Sequence, residues 1–453
     1  MNQKNANRVI FERKLLAFAP RASAAWRKLK MAQELDGEQL ADINWQRRIQ
    51  LIEHCAQTIP YYQRRFKEIG FEPGDLKGEA DWNRLPVLEK QDIRQHAQDL
   101  VNPIYQLADL PTATTGGTTG LPLKTYNDPK IHLASMSWRM LSWWGLHPAD
   151  NSGYLYRAVP TGLSKTLRDL ALTPTRRSYI AASNMTEARM DQFLSEILRS
   201  KARYLVGYVG ALEVFARHCE ARNVDIPNLT ALWTTASPLS GNQRNYFNSV
   251  FKTASYTQYG SCEFYWIAAE CRHRGGMHIG NDIRHVDVLD DGEAGNRESF
   301  GDLLITDLQN MAFPLIRYRL GDRGRLLNRT CSCGLPFPMM DYVRGRISET
   351  LELRDGTLVP GEFWTTVFDD FTDEIAAFQI IQQPDLSIHI SYVPNDSDGG
   401  DAAAETVLSR LQQQTQNKAH IKMHRVEAIP HREGKVQIVI RQSGTPAATD
   451  AME

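Results

Sequence analysis

The chain has 453 residues, 42% hydrophobic and 23% charged, enough for a sizeable core and roughly two or three structural units. Its 52 lysines and arginines balance 53 aspartates and glutamates, so the chain as a whole generates no gross field toward nucleic acid or an anionic membrane. No run reaches the ~18 apolar residues of a membrane span, and residues 1–30 lack the uninterrupted apolar core of a secretion signal.

Apolar spacing from Asn44 to Gly70 predicts helices, broken at Ile59-Pro60-Tyr61-Tyr62. Leu85-Pro86-Val87-Leu88-Glu89-Lys90 leads into a polar helix, Gln91 to Leu100, completing an N-terminal helical layer over about residues 1–100. Then comes Thr112 to Lys124, whose first nine positions hold five threonines and three glycines. Glycine frees the backbone to turn and approach a ligand, and threonine offers hydroxyl and amide donors to phosphate oxygens. The stretch is poor material for a helix or strand and suits a loop wrapped around a polyphosphate; a plain surface loop fits the composition as well. It lacks the Gly-x4-Gly-Lys-Ser/Thr pattern of a Walker loop.

Ile131 to Leu146 carries Met136, Trp138, Met140, Trp143 and Trp144 at helical spacing, which reads first as core and second as pocket lining. From Ser152 to Tyr259 short apolar runs (Tyr154–Tyr156, Tyr204–Tyr208, Leu232–Thr235) alternate with helical stretches (Met190–Leu198, Ala211–Ala221). That alternation predicts an α/β fold with a largely parallel sheet, where ligands sit on loops leaving the strand C-termini. Ala236-Ser237-Pro238-Leu239 and Tyr259-Gly260-Ser261-Cys262-Glu263 both occupy such positions. From Ile283 the texture turns to β, with His285–Leu289, Gly301–Thr306 and Leu315–Asp322. Beyond Gly345 come a turn at Asp355-Gly356, a helix near Phe363–Phe371 and strands at Phe378–Ile381 and Ser387–Val393. A helix at Ala402–Gln414 and a strand at Val436–Arg441 complete a small α+β unit. Gly444 to Glu453 is expected to fray.

Six segments, in this order, resemble motifs of the adenylate-forming superfamily of acyl-CoA synthetases and related ligases. They are Thr114-Thr115-Gly116-Gly117-Thr118-Thr119-Gly120-x-Pro122, Ala236-Ser237-Pro238-Leu239, Tyr259-Gly260-Ser261-Cys262-Glu263, Tyr318-Arg319-Leu320-Gly321-Asp322, Gly345-Arg346 and Pro430-His431-Arg432-Glu433-Gly434-Lys435. Pro60-Tyr61-Tyr62, Leu85-Pro86-x-x-x-Lys90, Pro314 to Asp322 and Cys331-x-Cys333-Gly334 are similar to phenylacetate-CoA ligases and their CapK-like relatives. The resemblance implies an α/β enzyme with a large AMP-binding domain carrying a β subdomain (1–346) and a small mobile α+β lid (347–453).

It also implies residue roles. Residues 114–120 would hold the β- and γ-phosphates of ATP, with Ala236, Ser237 and Pro238 on the adenine side beside Tyr259 and Gly260. Ser261 and Glu263 would sit near the α-phosphate, Glu263 holding Mg²⁺, a hard cation that prefers oxygen ligands. Asp322 would accept from the ribose hydroxyls, Arg346 would contact ribose or phosphate, and Lys435 would bridge carboxylate and α-phosphate once the lid closes. The implied reaction activates a carboxylic acid, aryl or similarly small, as acyl-AMP and passes it to CoA. Transfer to an amine or carrier-protein thiol, or a non-catalytic nucleotide-binding role, are the alternatives. Ser348 stands where the hinge usually has Asp or Lys, and the phosphate loop has Leu121 and Leu123, with Lys124 one place late for the usual basic residue.

Six cysteines are sparse for this length, and Cys331-Ser332-Cys333 is too tight for an ordinary disulfide. That points to a reducing cytoplasm and to metal binding for clustered thiols. Cys271, His278, Cys331 and Cys333 supply three thiolates and an imidazole, a structural zinc set. His273 competes as a ligand, unrelated thiols are the plain alternative, and the similar cysteines of phenylacetate-ligase-like chains favour zinc. Cys55, Cys219 and Cys262 read as packing residues. No nucleic-acid or membrane partner is expected, and oligomeric state is not readable.

Overall fold

The computed structural model describes the chain apart from residues 1–2, 116–122, 157–158, 183, 291–292, 295–299, 344–350, 360, 372, 396–398, 430–438 and 443–453. Six helices open it: α1 (Gln3–Phe18), α2 (Pro20–Met31), α3 (Gly37–Thr58), α4 (Pro60–Glu68), α5 (Glu79–Asn83) and α6 (Lys90–Leu100). The first two are hidden in the sequence because lysine and arginine interrupt their apolar positions. Asp36 starts α3 through a reciprocal cap, accepting from the Gln39 N–H at 2.8 Å while the Gln39 side chain accepts from its own N–H at 3.1 Å. Pro60 then ends α3 and pre-sets the first turn of α4. One face of α3 buries Leu40, Asn44, Arg48, Leu51, Ile52 and Cys55. Asn44 donates to the carbonyls of Asn281 and Arg284, which fastens the helical layer to the rest of the molecule, and Arg48 grips Glu79 of α5 with both terminal nitrogens, tying two helices within the layer.

The Thr/Gly stretch corrects the reading of Thr112–Lys124 as loop throughout. Its flanks form strands β1 (Thr112–Thr115) and β2 (Leu123–Tyr126), paired antiparallel with Thr112 opposite Tyr126 and Thr115 opposite Leu123. β-Branched threonine suits a pleated strand, and alternate residues Ala113, Leu123 and Thr125 are buried, so burial overrides the glycine-rich local composition. Lys124, opposite Thr114, is exposed.

After α7 (Leu133–Trp143) come β3 (Ser152–Tyr156), α8 (Gly162–Leu172), β4 (Arg177–Ala181), α9 (Glu187–Ser200), β5 (Tyr204–Tyr208), α10 (Val209–Ala221), β6 (Ala231–Thr235), α11 (Gly241–Phe251) and β7 (Ala254–Tyr259). The strands β4, β3, β5, β6 and β7 lie parallel in that order, as the alternation predicts. The chain steps one way from β3 to β4 and the other way to β5, so the order reverses between β3 and β5. Strands β8 (Ala268–Glu270) and β9 (Met277–Ile279) continue this sheet antiparallel. Next, β10 (Arg284–Asp290), β11 (Glu293–Ala294), β12 (Gly301–Asp307) and β13 (Tyr318–Gly324) build a separate antiparallel sheet in the order β11-β10-β12-β13. The short strands β14 (Leu326–Leu327) and β15 (Met339–Met340) return to β9 and complete a nine-stranded sheet.

The tail forms the hairpin β16 (Leu351–Glu352) and β17 (Leu358–Val359), then α12 (Gly361–Thr366), β18 (Ile375–Gln382), β19 (Ile388–Pro394), α13 (Gly400–Gln414), β20 (Ile421–Arg425) and β21 (Val439–Arg441). Its four-stranded sheet runs β20-β19-β18-β21 and has its own core around Trp364, Phe368, Phe378, Ile380, Ile390 and Leu411. The Phe368 and Phe378 rings stack with centroids 3.8 Å apart.

Candidate functional site

The carboxyl ends of β6 and β7 carry two of the segments singled out in the sequence. At the end of β6, Ala236 adopts φ +73°, turning the chain so that Ala236-Ser237-Pro238 spans the sheet edge with Ala236 and Pro238 exposed. At the end of β7 the position after Tyr259 has to be glycine. A Cβ on Gly260 would lie 1.7 Å from the Tyr265 carbonyl oxygen, because the chain folds straight back on itself. The Tyr265 N–H donates to the Ser261 carbonyl at 2.6 Å, and the Phe264 N–H donates to Ser261 Oγ at 3.3 Å. Ser261 therefore spends an acceptor on shaping the turn and keeps its hydroxyl proton.

That turn sets Glu263, 4% exposed, beneath β13, where the Tyr318 hydroxyl donates to Glu263 Oε1 at 3.1 Å. Burial and the Glu263 charge push the Tyr318 hydroxyl far up, so it stays a donor at any physiological pH. Four residues further along β13, Asp322 is half-buried and accepts from the Tyr259 hydroxyl at 3.1 Å. Two tyrosine hydroxyls thus cross-tie β7 and β13, each holding one carboxylate of the other segment. Gly321 between them has φ +91°. Leu123, Tyr259, Phe264, Tyr318 and Leu320 share one apolar cluster, which places the β1–β2 hairpin beside the same tie. Gly116 to Gly120 (with Thr118 and Thr119), Arg346, the hinge at Ser348 and Lys435 lie outside the described residues; Thr114 and the backbone of Thr115 are on β1.

The Tyr318 and Tyr259 ties cannot be read from sequence, since the partners are 55 and 63 residues apart. The only signal is that both tyrosines open motifs whose acidic member follows four places later. The link Leu85–Lys90 is a further contributor: Leu88 pairs in parallel with Tyr318, its N–H donating to the Arg317 carbonyl at 3.2 Å and its carbonyl accepting from the Arg319 N–H at 3.0 Å. Arg319 also bonds Glu89 at 2.8 Å and pairs with Asp302, holding β13 from both sides.

The aromatic stripe of α7 is core. Trp144 stacks on Tyr256 with centroids 5.2 Å apart and donates to the Glu270 carbonyl, while Trp138 meets Trp26 edge-on. The Tyr156 and Tyr208 rings, 5.4 Å apart, instead stand at the carboxyl ends of β3 and β5, where strand order reverses.

A second cluster joins the antiparallel end of the large sheet. The ligand atoms of Cys271, His278, Cys331 and Cys333 all lie within 4.8 Å of one another. Cys271 Sγ and Cys331 Sγ are 3.6 Å apart, and Cys333 Sγ is 3.3 Å from His278 Nε2. A tetrahedral zinc with S and N ligands needs neighbours about 3.5–3.8 Å apart, so the quartet has the right size. The other imidazole nitrogen, Nδ1, lies 3.0 Å from the Phe337 carbonyl, which accepts its proton and leaves Nε2 free to ligate. The N–H groups of His273 and Leu335 donate to the sulfurs of Cys271 and Cys333, charge-stabilising contacts for thiolates. His273 is not in the quartet; its Nδ1 bonds Ser332 Oγ at 2.7 Å. None of the six cysteines is in a disulfide; Cys55 and Cys219 are buried and Cys262 is exposed.

Residues 351–442 match the CapK C-terminal domain family. The chain is similar to phenylacetate-coenzyme A ligase of Thermus thermophilus, 26% identical over 343 residues, covering 72% of this chain and 74% of that one. It is also similar to phenylacetate-coenzyme A ligase of Escherichia coli, 25% identical over 352 residues, covering 74% and 77%. Among solved structures, 2-hydroxyisobutyryl-CoA ligase with 2-HIB-AMP and CoA in the thioesterification state aligns at TM-score 0.62 and 19% identity. The alignment covers 90% of this chain and 91% of that one, and shows a shared mixed α/β fold with a large N-terminal and a smaller C-terminal domain.

Proposed function

We propose that the chain is an AMP-forming ligase that couples a small carboxylic acid to CoA at the expense of ATP. A carboxylate is a poor electrophile because attack on it must expel oxide. When its oxygen attacks the α-phosphorus of ATP, pyrophosphate departs and a mixed anhydride, acyl-AMP, forms. The CoA sulfur then attacks the anhydride carbonyl and AMP leaves. The observation that carries this reading is the double tie that holds Glu263 and Asp322 against the carboxyl end of β7. The phenylacetate-coenzyme A ligases to which the chain is similar support the same two half-reactions.

In this reading the 114–120 segment cradles the outer phosphates, Asp322 accepts from the ribose hydroxyls, and the edge at Ala236–Pro238 flanks the adenine. Glu263, presented by Tyr318, offers a carboxylate oxygen to Mg²⁺, an ion that would neutralise charge on the phosphates during transfer. Arg346 and Lys435 complete the charge balance at the α-phosphate, Lys435 from a C-terminal lid beginning near residue 347. Tyr156 and Tyr208 at the strand-order reversal favour an aryl or similarly compact acid. Cys271, His278, Cys331 and Cys333 would hold a zinc ion, three thiolates and one imidazole giving it a structural rather than a catalytic part. Six cysteines without a disulfide fit a reducing compartment such as the cytoplasm, and no helix among the described residues is long and apolar enough to cross a membrane.

The test is pyrophosphate release screened over aryl and short alkyl acids, with and without CoA. Acid-dependent release followed by CoA-dependent thioester is expected; release from no acid would remove the ligase reading, and release with acyl transfer only to amines would reassign the acceptor.

A further inference from the structure

The even charge balance of the whole chain conceals a local asymmetry. Residues 1–31 hold eight lysines and arginines against the single acid Glu12. Helix α1 packs Phe11 and Leu15 inward and turns Val9, Ile10, Leu16 and Phe18 outward, Phe18 being 84% exposed. Helix α8 has no buried residue, and its leucines Leu163, Leu167 and Leu170, at spacings of four and three, are 74%, 58% and 69% exposed. The two helices meet: Lys14 of α1 donates to the carbonyls of Ala171 and Thr173 at the end of α8, at 3.4 and 2.7 Å. Beneath α8 lies a cavity of about 600 Å³ whose lining includes Leu170, Arg176, Arg177 and Arg199, with Asp169 and Glu196 as its acids. Arg177 Nε is buried without a hydrogen-bond partner among the described residues.

We infer that the α1–α8 face seats on an anionic phospholipid surface, the leucine stripe entering the boundary between headgroups and acyl chains and the basic residues meeting lipid phosphates. An exposed leucine stripe at spacings of four and three along one helix carries a standing cost in water and calls for a cover. The basic setting selects the cover. A second copy of the chain would bring two positive faces together, whereas an anionic membrane supplies both an apolar layer and negative charge. The acids Asp169 and Glu12 do not reverse the sign, since Lys165 pairs with Asp169 at 2.7 Å and Lys30 with Glu12 at 3.7 Å. This inference does not rest on the acid or the acceptor proposed above.

The full-length protein is sedimented with vesicles of phosphatidylcholine alone and with vesicles containing about 30% phosphatidylglycerol. Binding to the anionic vesicles is expected, at least about tenfold above the neutral ones and falling as salt rises to about 0.5 M. The triple variant Leu163→Ser, Leu167→Ser, Leu170→Ser weakens it about tenfold, and so, separately, does Arg13→Glu with Arg168→Glu. All of these substituted side chains are exposed, so thermal melting should stay as in the parent and exclude misfolding as the cause. No binding to either vesicle, equal binding to both, or binding unchanged in both variants overturns the inference. So does a solution dimer that the leucine substitutions dissociate, which would make the face a self-association surface.

Discussion

The hydroxyl of Tyr318 donates to Glu263 at 3.1 Å, joining a strand of the smaller β-sheet to the turn that ends the last parallel strand of the larger one. Glu263 is thereby a buried carboxylate with Oε1 held by the protein, and in the proposed function its carboxylate serves the metal. Tyr318→Phe keeps the ring packing against Phe264 and deletes only the donor. Acid-dependent pyrophosphate release is expected to fall about tenfold to a hundredfold, with a raised requirement for Mg²⁺ and a loss of about 1 kcal/mol in stability. Magnesium titrations of wild type and variant check it; an unchanged Mg²⁺ dependence would detach Tyr318 from the metal-side role.

The matching tie, Tyr259 to Asp322, bears on nucleotide binding instead. Tyr259→Phe is expected to raise the KM for ATP about tenfold with kcat nearly constant, the pattern of lost uniform binding. Asp322→Asn should do the same more strongly, read out in the same kinetics.

Gly260→Ala tests the fold-back at the strand end. With 1.7 Å between the added carbon and the Tyr265 carbonyl oxygen, the turn must move. A destabilisation of about 3 kcal/mol or more is expected from backbone strain and from the displaced Glu263. Thermal or denaturant melting measures it.

Lys435→Ala should abolish acid-dependent pyrophosphate release while ATP binding, followed by calorimetry, survives. Release at the parent rate would remove Lys435 from the adenylation step and leave the carboxylate–phosphate bridge to another cation.

Purified protein should contain about one zinc per chain, lost on substituting Cys331→Ser with Cys333→Ser. Because binding energy at a closed site is folding energy, a strong chelator should lower the melting temperature by several degrees. Metal-free protein with an unchanged melting curve would return these four residues to ordinary packing.

The strand–helix alternation from Ser152 to Tyr259 was readable where the strands are short apolar runs (β3, β5, β6) and the helices amphipathic (α9, α10), while β4, α8 and α11 lie outside those runs. The antiparallel extension through β8 and β9 was not, since Ala268–Glu270 and Met277–Ile279 are three-residue pieces whose burial comes from neighbours far along the chain. The Thr/Gly hairpin failed for a related reason: Leu123 and Thr125 are buried by contacts that no local window contains. At the candidate site the identities of Glu263 and Asp322 were legible, and the tyrosines that hold them were not. The cysteine quartet was visible as chemistry; its closure depends on β9 lying beside β15 and carrying His278 to the Cys333 loop.

The two backbone bonds between Leu88 and the edge of β13 have a kinetic corollary. They clip the helical layer to the strand that carries both Tyr318 and Asp322, so local opening of that clip should loosen the carboxylates and the helices as one unit. In hydrogen exchange, the amides of Leu88 and Arg319 should open together and at similar free energy, and saturating nucleotide should slow both. A chain that sheds its first hundred residues would then lose the site's geometry before its sheet.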